Sequence, residues 1–251
     1  MKTKLSMLGI EIDSMSLETL FDEIFSIEEK EIIANVNIHA MNIAYANNKF
    51  RAFLQQSVLN FCDGAGIILA SKMLGNTIVE RITYADFMWD LARVASEKNM
   101  TMYFLGASPG TALRAKENLQ IKYPALKVLG THHGYFEKEK ASAENRNVIN
   151  EINAVTPDIL IVGMGMPLQE YWILENIDEL NVKIVFNGGA IFDYVSGELK
   201  RAPRWMTDHG LEWLGRLIIE PRRLWKRYVV GIPLFFWRIF IHHILRFPLP
   251  Y

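Results

Sequence analysis

The chain has 251 residues, half of them apolar, so it is long enough to bury a sizeable core in one large domain or in one domain with an appendage. Its single cysteine, Cys62, excludes an intramolecular disulfide, and its six histidines show no zinc-ligand spacing. The net charge of −1 divides into −8 for residues 1–199 and +7 for residues 200–251, which indicates that the C-terminal segment meets phosphates, nucleic acid or a membrane surface.

The N-terminal residues become acidic too soon, and their apolar run is too short, for a secretory signal. From residue 31 onward, β-rich runs alternate with amphipathic segments. The pattern predicts strands at 31–38, 58–63, 100–106, 126–133, 157–165 and 182–189, with helices at 39–57, 65–74, 86–99, 111–123, 143–155 and 167–180. Such alternation predicts an α/β fold, a Rossmann-like and mostly parallel sheet with helices on both faces. We expect residues 1–199 to form this catalytic domain and residues 200–251 to form a basic, aromatic helical appendage.

Ligands bind parallel sheets outside the carboxyl ends of the strands. The segments at such ends are Asp63 with Gly64, "GASPG" at 106–110, "GMGMPLQ" at 163–169 and "NGGAIFD" at 187–193. Asp63 follows an apolar strand, where a carboxylate is costly unless it is paired, hydrogen-bonded or used. It is either a helix N-cap beside glycines that let the chain turn, or a functional acid. The convergence of four such segments favours the functional acid.

The glycine-containing segments differ in what they indicate. "FLGASPG" resembles a phosphate-binding turn, but it lacks the GxGxxG pattern, and no acid follows the next strand to hold a nicotinamide ribose. In "VGMGMPLQEYW", Gln169 and Glu170 are expected to project from a helix start, either toward a phosphate or sugar hydroxyl or into solvent.

No DxD sequence occurs. A phosphate-handling enzyme would then use Arg, Lys and backbone dipoles in place of a divalent metal.

The segment from residue 200 onward has a different composition. It holds four of the six tryptophans and the basic residues Arg201, Arg204, Arg216, Arg222, Arg223, Lys226 and Arg227. From Tyr228 onward it is strongly apolar, yet Arg238, His242 and Arg246 recur at i, i+4 and i+8 as one polar stripe on a helix. This pattern is typical of a helix that lies in the membrane interface. The alternative is a terminal helix packed on the body or on a neighbouring subunit.

Several motifs together resemble one known family. They are "DGAGIILASKMLG" followed by "ERITYADFM", then "FLGASPG", "HHGYF", "VGMGMPLQE" and "FDYVSGELKRAPRWMTDHGLEWLGRLIIEPRRLWKRY". From about Leu8 to Pro233 the chain resembles the WecG/TagA/CpsF family of bacterial glycosyltransferases (glycosyltransferase family 26). The resemblance implies an inverting transferase, without a metal or other cofactor, that moves N-acetylmannosamine or a related hexose from a UDP-sugar to a polyprenyl-diphosphate-linked saccharide. Such enzymes build cell-surface polysaccharides at the cytoplasmic face of the bacterial membrane.

The resemblance also implies roles for particular residues. It makes Asp63 the base, and it matches Arg81, the Gln169–Glu170 pair and Arg201 to family positions; we expect Arg81 and Gln169 to act in catalysis. Together with the strand-end segments, it predicts substrate contacts from Asn35, Asn37, Gly64, Gly106, Tyr135, Gly163, Gly165, Glu170, Asn187, Gly188, Arg201, Arg216, Arg223 and Arg227. Tyr135 is expected to stack on the uracil. The basic C-terminal segment is expected to fold over the active site at the membrane.

Three positions depart from the family pattern. Asn35 replaces the threonine of Thr-x-Asn, Tyr84 stands where a glycine is common, and Asn187 replaces the first glycine of Gly-Val-Gly. These changes leave the donor sugar open. The competing functions are a nicotinamide-dependent oxidoreductase and a non-catalytic membrane adaptor. Nucleic acid is disfavoured as a partner because the tail aromatics suit lipid and the body is acidic, and a homo-oligomer is left open.

Overall fold

The computed structural model describes residues 2–250, apart from the side chains of Arg204 and Asp208. One eight-stranded sheet has the order β1-β2-β4-β3-β8-β7-β5-β6, and only the β1–β2 pair is antiparallel. The strands are β1 (Thr3–Met7), β2 (Ile10–Ser14), β3 (Glu31–Val36), β4 (Leu59–Cys62), β5 (Thr101–Gly106), β6 (Lys127–His132), β7 (Ile159–Gly163) and β8 (Ile184–Asn187). The predicted α/β fold with a mostly parallel sheet is therefore confirmed.

Helices cover the two faces of this sheet and continue into the C-terminal segment. They are α1 (Leu17–Phe25), α2 (Ile38–Ala46), α3 (Asn48–Gln56), α4 (Ala65–Met73), α5 (Tyr84–Glu97), α6 (Thr111–Lys122), α7 (Ala143–Val155), α8 (Leu168–Asn176), α9 (Ile191–Val195), α10 (Arg204–Asp208), α11 (Glu212–Ile219), α12 (Pro221–Trp225) and α13 (Gly231–Ile239). A π-helical turn, Lys226–Val230, joins α12 to α13, and a second, Phe240–Ile244, extends α13. Together they form one continuous helix, residues 221–244, which we call the C-terminal helix.

The structure contains elements that the sequence pattern did not predict, among them α1 and α9. The N-terminal hairpin of β1 and β2 was not predicted, and it extends the sheet beyond β4. The predicted helix 39–57 is two helices, because Asn47 adopts an extended conformation between them. The Asn47 side chain accepts a hydrogen bond from the Phe50 backbone N–H at 2.9 Å, which caps α3.

The C-terminal helix packs on α2, so of the two alternatives for this segment the structure shows packing on the body. Phe235 and Ile239 are fully buried in the core. Arg238 donates to the Asn42 side-chain oxygen at 2.7 Å and lies 4.1 Å from the centre of the Tyr45 ring.

Two members of the predicted polar stripe, Arg238 and His242, therefore face the protein and not lipid headgroups, whereas Arg246 lies beyond the end of the helix and is exposed. His242 also hydrogen-bonds to the Tyr45 hydroxyl at 2.8 Å. The polar groups take this side because α2 offers them partners, which water or headgroups would otherwise have to supply. The opposite face of the helix is apolar and exposed, with Val230, Leu234, Trp237, Phe240 and Ile244. Among the described residues, the structure contains no helix that is both long and apolar enough to cross a bilayer.

Gly106 is the last residue of β5 and pairs with Gly163, the last residue of β7. Its φ of +144° is a conformation that side chains rarely adopt, and an added Cβ would lie 2.1 Å from the Gly163 carbonyl oxygen. We expect Gly106→Ala to lower the free energy of unfolding by about 3 kcal/mol or more, because backbone strain and overlap add. Urea denaturation measures the change.

Gly75→Ala is the control, since its φ is +75° but no atom lies within 4 Å of the added Cβ. Equal losses of unfolding free energy in both variants would contradict this account.

Candidate active site

A cavity of about 790 Å³ lies at the carboxyl ends of the parallel strands, under the C-terminal segment. Its volume is in the range of small-molecule sites. From the body, its lining includes Asn35, Asn37, Asp63, Gly64, Arg81, Tyr84, Gly165 and Gly188. From the C-terminal segment, it includes Glu212, Arg216, Arg223, Lys226, Arg227, Ile232 and Phe236. The tertiary structure therefore brings most of the predicted site residues together.

Asp63 lies in the cavity wall directly after β4, where its backbone N–H donates to the Val36 carbonyl at 3.0 Å. The alternative that Asp63 caps a helix is not what the structure shows, because Gly64 is the N-cap of α4. The Asn35 side-chain amide donates to Asp63 Oδ2 at 3.0 Å. Because a carboxylate only accepts, this bond fixes the orientation of the Asn35 amide. Asp63 Oδ1 has no hydrogen-bond partner among the described residues and is the oxygen available to a ligand.

The surroundings of Asp63 raise its pKa from 3.8 to about 6. Burial is the largest cause, and the negative charge of Glu212 adds to it, while Arg227 and Arg81 act in the opposite direction. A carboxylate with this pKa is ionised at neutral pH and is a stronger proton acceptor than an ordinary aspartate. Glu212 was not assigned a role from the sequence; the only signal for it is its position in the "HGLEWLG" segment.

Arginines from the C-terminal segment face Asp63 across the cavity. The Nε atoms of Arg216 and Arg227 are buried and have no hydrogen-bond partner in the described part of the chain. Burial lowers the pKa of Arg227, and the positive charges of Arg216 and Arg223 lower it further. Glu220 is near enough to pair with Arg216, at 3.9 Å, and also pairs with Arg223. This is a cluster of cations with too few anions around it, which is the electrostatic arrangement of an anion site.

Arg81 and Arg201 connect the body to the C-terminal segment. Arg81 lines the cavity and donates to the Thr207 carbonyl at 3.0 Å. Arg201, predicted to contact substrate, lies outside the cavity lining; its guanidinium contacts Asp86 and the Thr83 hydroxyl. The bidentate pair with Asp86 raises the pKa of Arg201 and lowers that of Asp86. Arg201 thus holds the segment onto α5, and the side chain of Arg204 lies outside the described part.

Gln169 does not project toward the cavity as the sequence analysis expected, because it is fully buried. Its Oε1 accepts hydrogen bonds from the backbone N–H groups of Met164, Gly165 and Gly189, at 3.2, 3.0 and 3.0 Å. Its amide N–H donates to Glu170 at 2.8 Å. Gln169 therefore joins the glycine loops after β7 and β8 and acts through them.

The three positions that depart from the family pattern are neighbours in the structure. Asn187 Oδ1 accepts from the Asn35 backbone N–H at 3.2 Å and from the Tyr84 hydroxyl at 3.4 Å. Its amide donates to Glu170 Oε1 at 2.8 Å, and both Asn187 and Glu170 are fully buried. Asn187 and Glu170 thus lie behind the cavity wall and hold Asn35, so their predicted contact with substrate is indirect.

We expect Gln169→Ala to lower the free energy of unfolding by about 2–4 kcal/mol, because three backbone N–H groups lose their acceptor in a partly buried site. The glycine loops then lose their fixed spacing, so nucleotide affinity falls as well. Thermal or urea unfolding measures the stability loss. Gln120→Ala is the matched control, since Gln120 makes one bond, to the Leu126 carbonyl. A loss no larger than in this control would contradict the bridging role.

Other predicted contacts lie outside the cavity lining. Tyr135, predicted to stack on the uracil, is 71% exposed there, and Gly106 and Gly163 serve the close approach of β5 and β7. At the start of α6, after the "GASPG" turn, the Glu198 carboxylate accepts from the Thr111 hydroxyl and pairs with Arg114. A protein carboxylate thus occupies the helix start that resembled a phosphate site.

Known proteins that resemble this chain belong to one family. The model of the "Glycosyl transferase WecG/TagA/CpsF family" matches residues 5–247. A protein of Staphylococcus aureus (strain MRSA252), named N-acetylglucosaminyldiphosphoundecaprenol N-acetyl-beta-D-mannosaminyltransferase, is 26% identical over 94% of this chain and 92% of its own length. The protein of the same name from Staphylococcus aureus (strain NCTC 8325 / PS 47) is 25% identical over the same shares. Because the family model spans nearly the whole chain, the chain belongs to the WecG/TagA/CpsF family of glycosyltransferases.

Proposed function

We propose that this glycosyltransferase moves N-acetylmannosamine or a related hexose from a UDP-sugar to a polyprenyl-diphosphate-linked saccharide, with inversion and without a metal. The observation that carries the proposal is the pairing, in one cavity, of a carboxylate with a raised pKa and a cluster of underpaired arginines. The names of the Staphylococcus aureus relatives support the sugar and the acceptor class.

In the proposed reaction, Asp63 Oδ1 takes the proton of an acceptor hydroxyl while that oxygen attacks the anomeric carbon of the donor sugar. The bond between this carbon and the diphosphate oxygen breaks, and UDP leaves with the electron pair on the opposite face. Attack opposite the leaving group inverts the anomeric configuration. Arg216, Arg223 and Arg227 meet the negative charge that develops on the diphosphate, as preorganised cations do in other enzymes.

The rest of the cavity wall supports a lipid-linked acceptor. Its apolar lining is formed by Ile38, Leu69, Ile232 and Phe236, beside the cations of the C-terminal helix. The exposed apolar face of that helix, with Trp237 56% exposed and basic Lys226 near its start, suits a peripheral position on an anionic membrane surface. The enzyme then meets its acceptor without spanning the bilayer.

The pH dependence of transfer follows from the pKa of Asp63. The base acts when ionised, so we expect kcat/KM to fall about tenfold per pH unit below about pH 6 and to reach a plateau above it, following the raised pKa of about 6. Initial rates across pH 4.5–8.5, in buffers of constant ionic strength, measure this. A midpoint near pH 4 would contradict the raised pKa.

Transfer itself is tested with a panel of UDP-sugars and a short-chain lipid-diphosphate N-acetylglucosamine acceptor. We expect a product with inverted anomeric configuration from one donor, formed in the presence of EDTA. No transfer from any UDP-sugar, together with no UDP binding by calorimetry, would overturn the proposal. Transfer that EDTA abolishes would overturn its metal-independent part.

A further inference from the structure

His39 is a titratable group in the cavity that the proposed reaction does not use. It is the second residue of α2, and it lines the same cavity as Asp63 and Arg227. The Asn37 side chain accepts a hydrogen bond from the His39 backbone N–H at 3.0 Å, which fixes the start of α2. The described residues offer no hydrogen-bond partner to the His39 ring, whereas the rings of the other five histidines each have at least one. This ring is therefore available to a ligand.

The charges around His39 determine its state when the cavity is empty. Burial lowers the pKa of His39 to about 4, and the positive charge of Arg227 contributes. The N-terminus of α2 also disfavours a cation. The other charged groups that line the cavity are Arg223 and Lys226 on the C-terminal helix, Glu212 and Arg216 on α11, and Asp63 and Arg81 beside β4. The lining also includes the titratable residues His209, Tyr84, Tyr194 and Tyr228. Cations outnumber the two carboxylates, so His39 is neutral at pH 7.

We propose, as an extension of the proposed function, that His39 is a further binding residue for the diphosphate in this cavity and that it takes up a proton when the diphosphate binds. Arg227, the charge that acts on His39, is also an arginine whose buried Nε lacks a partner, so the anion that Arg227 attracts lies within the electrostatic reach of His39. A diphosphate reverses the sign of the local field, which favours the imidazolium.

The step is a proton transfer from solvent to the ring. The imidazole gains a proton, becomes a cation with two N–H donors, and donates one of them to a phosphate oxygen in a charge-assisted hydrogen bond. No covalent bond of the ligand changes. The consequence is linkage: because binding takes up a proton, the affinity for diphosphate increases as the pH falls.

Calorimetric titration with UDP in buffers of low and high ionisation enthalpy counts the protons taken up. Asp63 also gains a proton more readily near an anion, so the titration uses the Asp63→Asn protein as the background. The terminal phosphate of UDP has a second pKa of about 6 and releases protons when cations bind it, so the quantity that reports on His39 is a difference. At pH 6 we expect this background to take up about half a proton more per site than the same protein with His39→Gln, as a group gaining a pKa above the working pH requires. A second arm replaces UDP by a short-chain alkyl diphosphate, which separates the donor diphosphate from that of the acceptor.

Adding His39→Gln, which keeps a hydrogen-bond donor but does not titrate, should remove this additional uptake and weaken UDP binding about tenfold at pH 6. His133→Gln, whose residue lies outside the cavity lining, is the control and should change neither quantity. Equal uptake with and without His39→Gln, in proteins that unfold at the same temperature, would overturn the inference while leaving the proposed function intact. Uptake only in the alkyl diphosphate arm would place His39 at the acceptor and overturn its role toward UDP.

Discussion

Asp63→Asn is expected to lower kcat for sugar transfer by about 10²- to 10⁴-fold, the usual contribution of a positioned base. Asparagine has nearly the same shape, and its side-chain oxygen still accepts the bond from the Asn35 amide, but it does not take a proton. UDP affinity should stay within about threefold of the original, because the proposed reaction assigns the phosphate contacts to arginines. Single-turnover rates and calorimetry measure the two quantities. Full transfer activity in the variant would refute the assignment of the base, and an adaptor protein would not respond to the change.

The same substitution should stabilise the folded protein, and its pH dependence gives an independent check. The pKa of Asp63 is raised on folding from 3.8 to about 6, so the folded protein holds this proton more tightly than the unfolded chain. The difference stabilises the folded state fully below about pH 4, and this stabilisation is lost as the pH rises through about 6. Removing the charge should therefore raise the free energy of unfolding by about 2 kcal/mol at pH 8 and leave it unchanged at pH 3.5. Urea unfolding at both pH values tests this. A loss of stability at pH 8 would indicate a structural role instead.

Arg227→Gln is expected to reduce kcat/KM by about 10²- to 10³-fold, because a preorganised cation at the developing charge is commonly worth ~2.7–4 kcal/mol. Arg227 is well suited to this test, since its buried Nε has no partner in the described structure that the substitution would leave unpaired. Its removal also relieves repulsion from Arg216 and Arg223, so the free protein should be at least as stable as before. Steady-state kinetics and thermal unfolding measure the two effects.

Arg222→Gln is the control for this prediction, because Arg222 lies in the same helix but is exposed and outside the cavity lining. We expect it to change transfer by less than about threefold when the acceptor is water-soluble. Equal losses in the two variants would refute the specific role of Arg227. Deleting residues 200–251 would be a poorer test, because the deletion removes Phe235 and Ile239, which are fully buried in the core.

The sequence determined the fold class and the location of the site, because both depend on local patterns. The periodicity of the apolar residues predicted the mostly parallel sheet and its helices, because apolar residues recur at a different spacing in strands than in amphipathic helices. The carboxyl ends of parallel strands meet at one edge, so Asp63, Gly165 and Gly188 could be placed near each other before their positions were known. The motifs that resemble the family suggested Asp63 as the candidate base and the arginines of the C-terminal segment as candidate diphosphate contacts.

Tertiary structure alone decided which side chains face the cavity. Gln169 and Glu170 follow a glycine turn, a position that is typical of surface residues, yet both are buried. Their burial is possible because three backbone N–H groups donate to Gln169 Oε1 and the Asn187 amide donates to Glu170 Oε1. The i, i+4 stripe at Arg238 and His242 has the same spacing whether it meets headgroups or a neighbouring helix. The periodicity predicts only which residues share one face of the helix. What that face contacts depends on the hydrogen-bond partners that α2 supplies and on the free energy of burial.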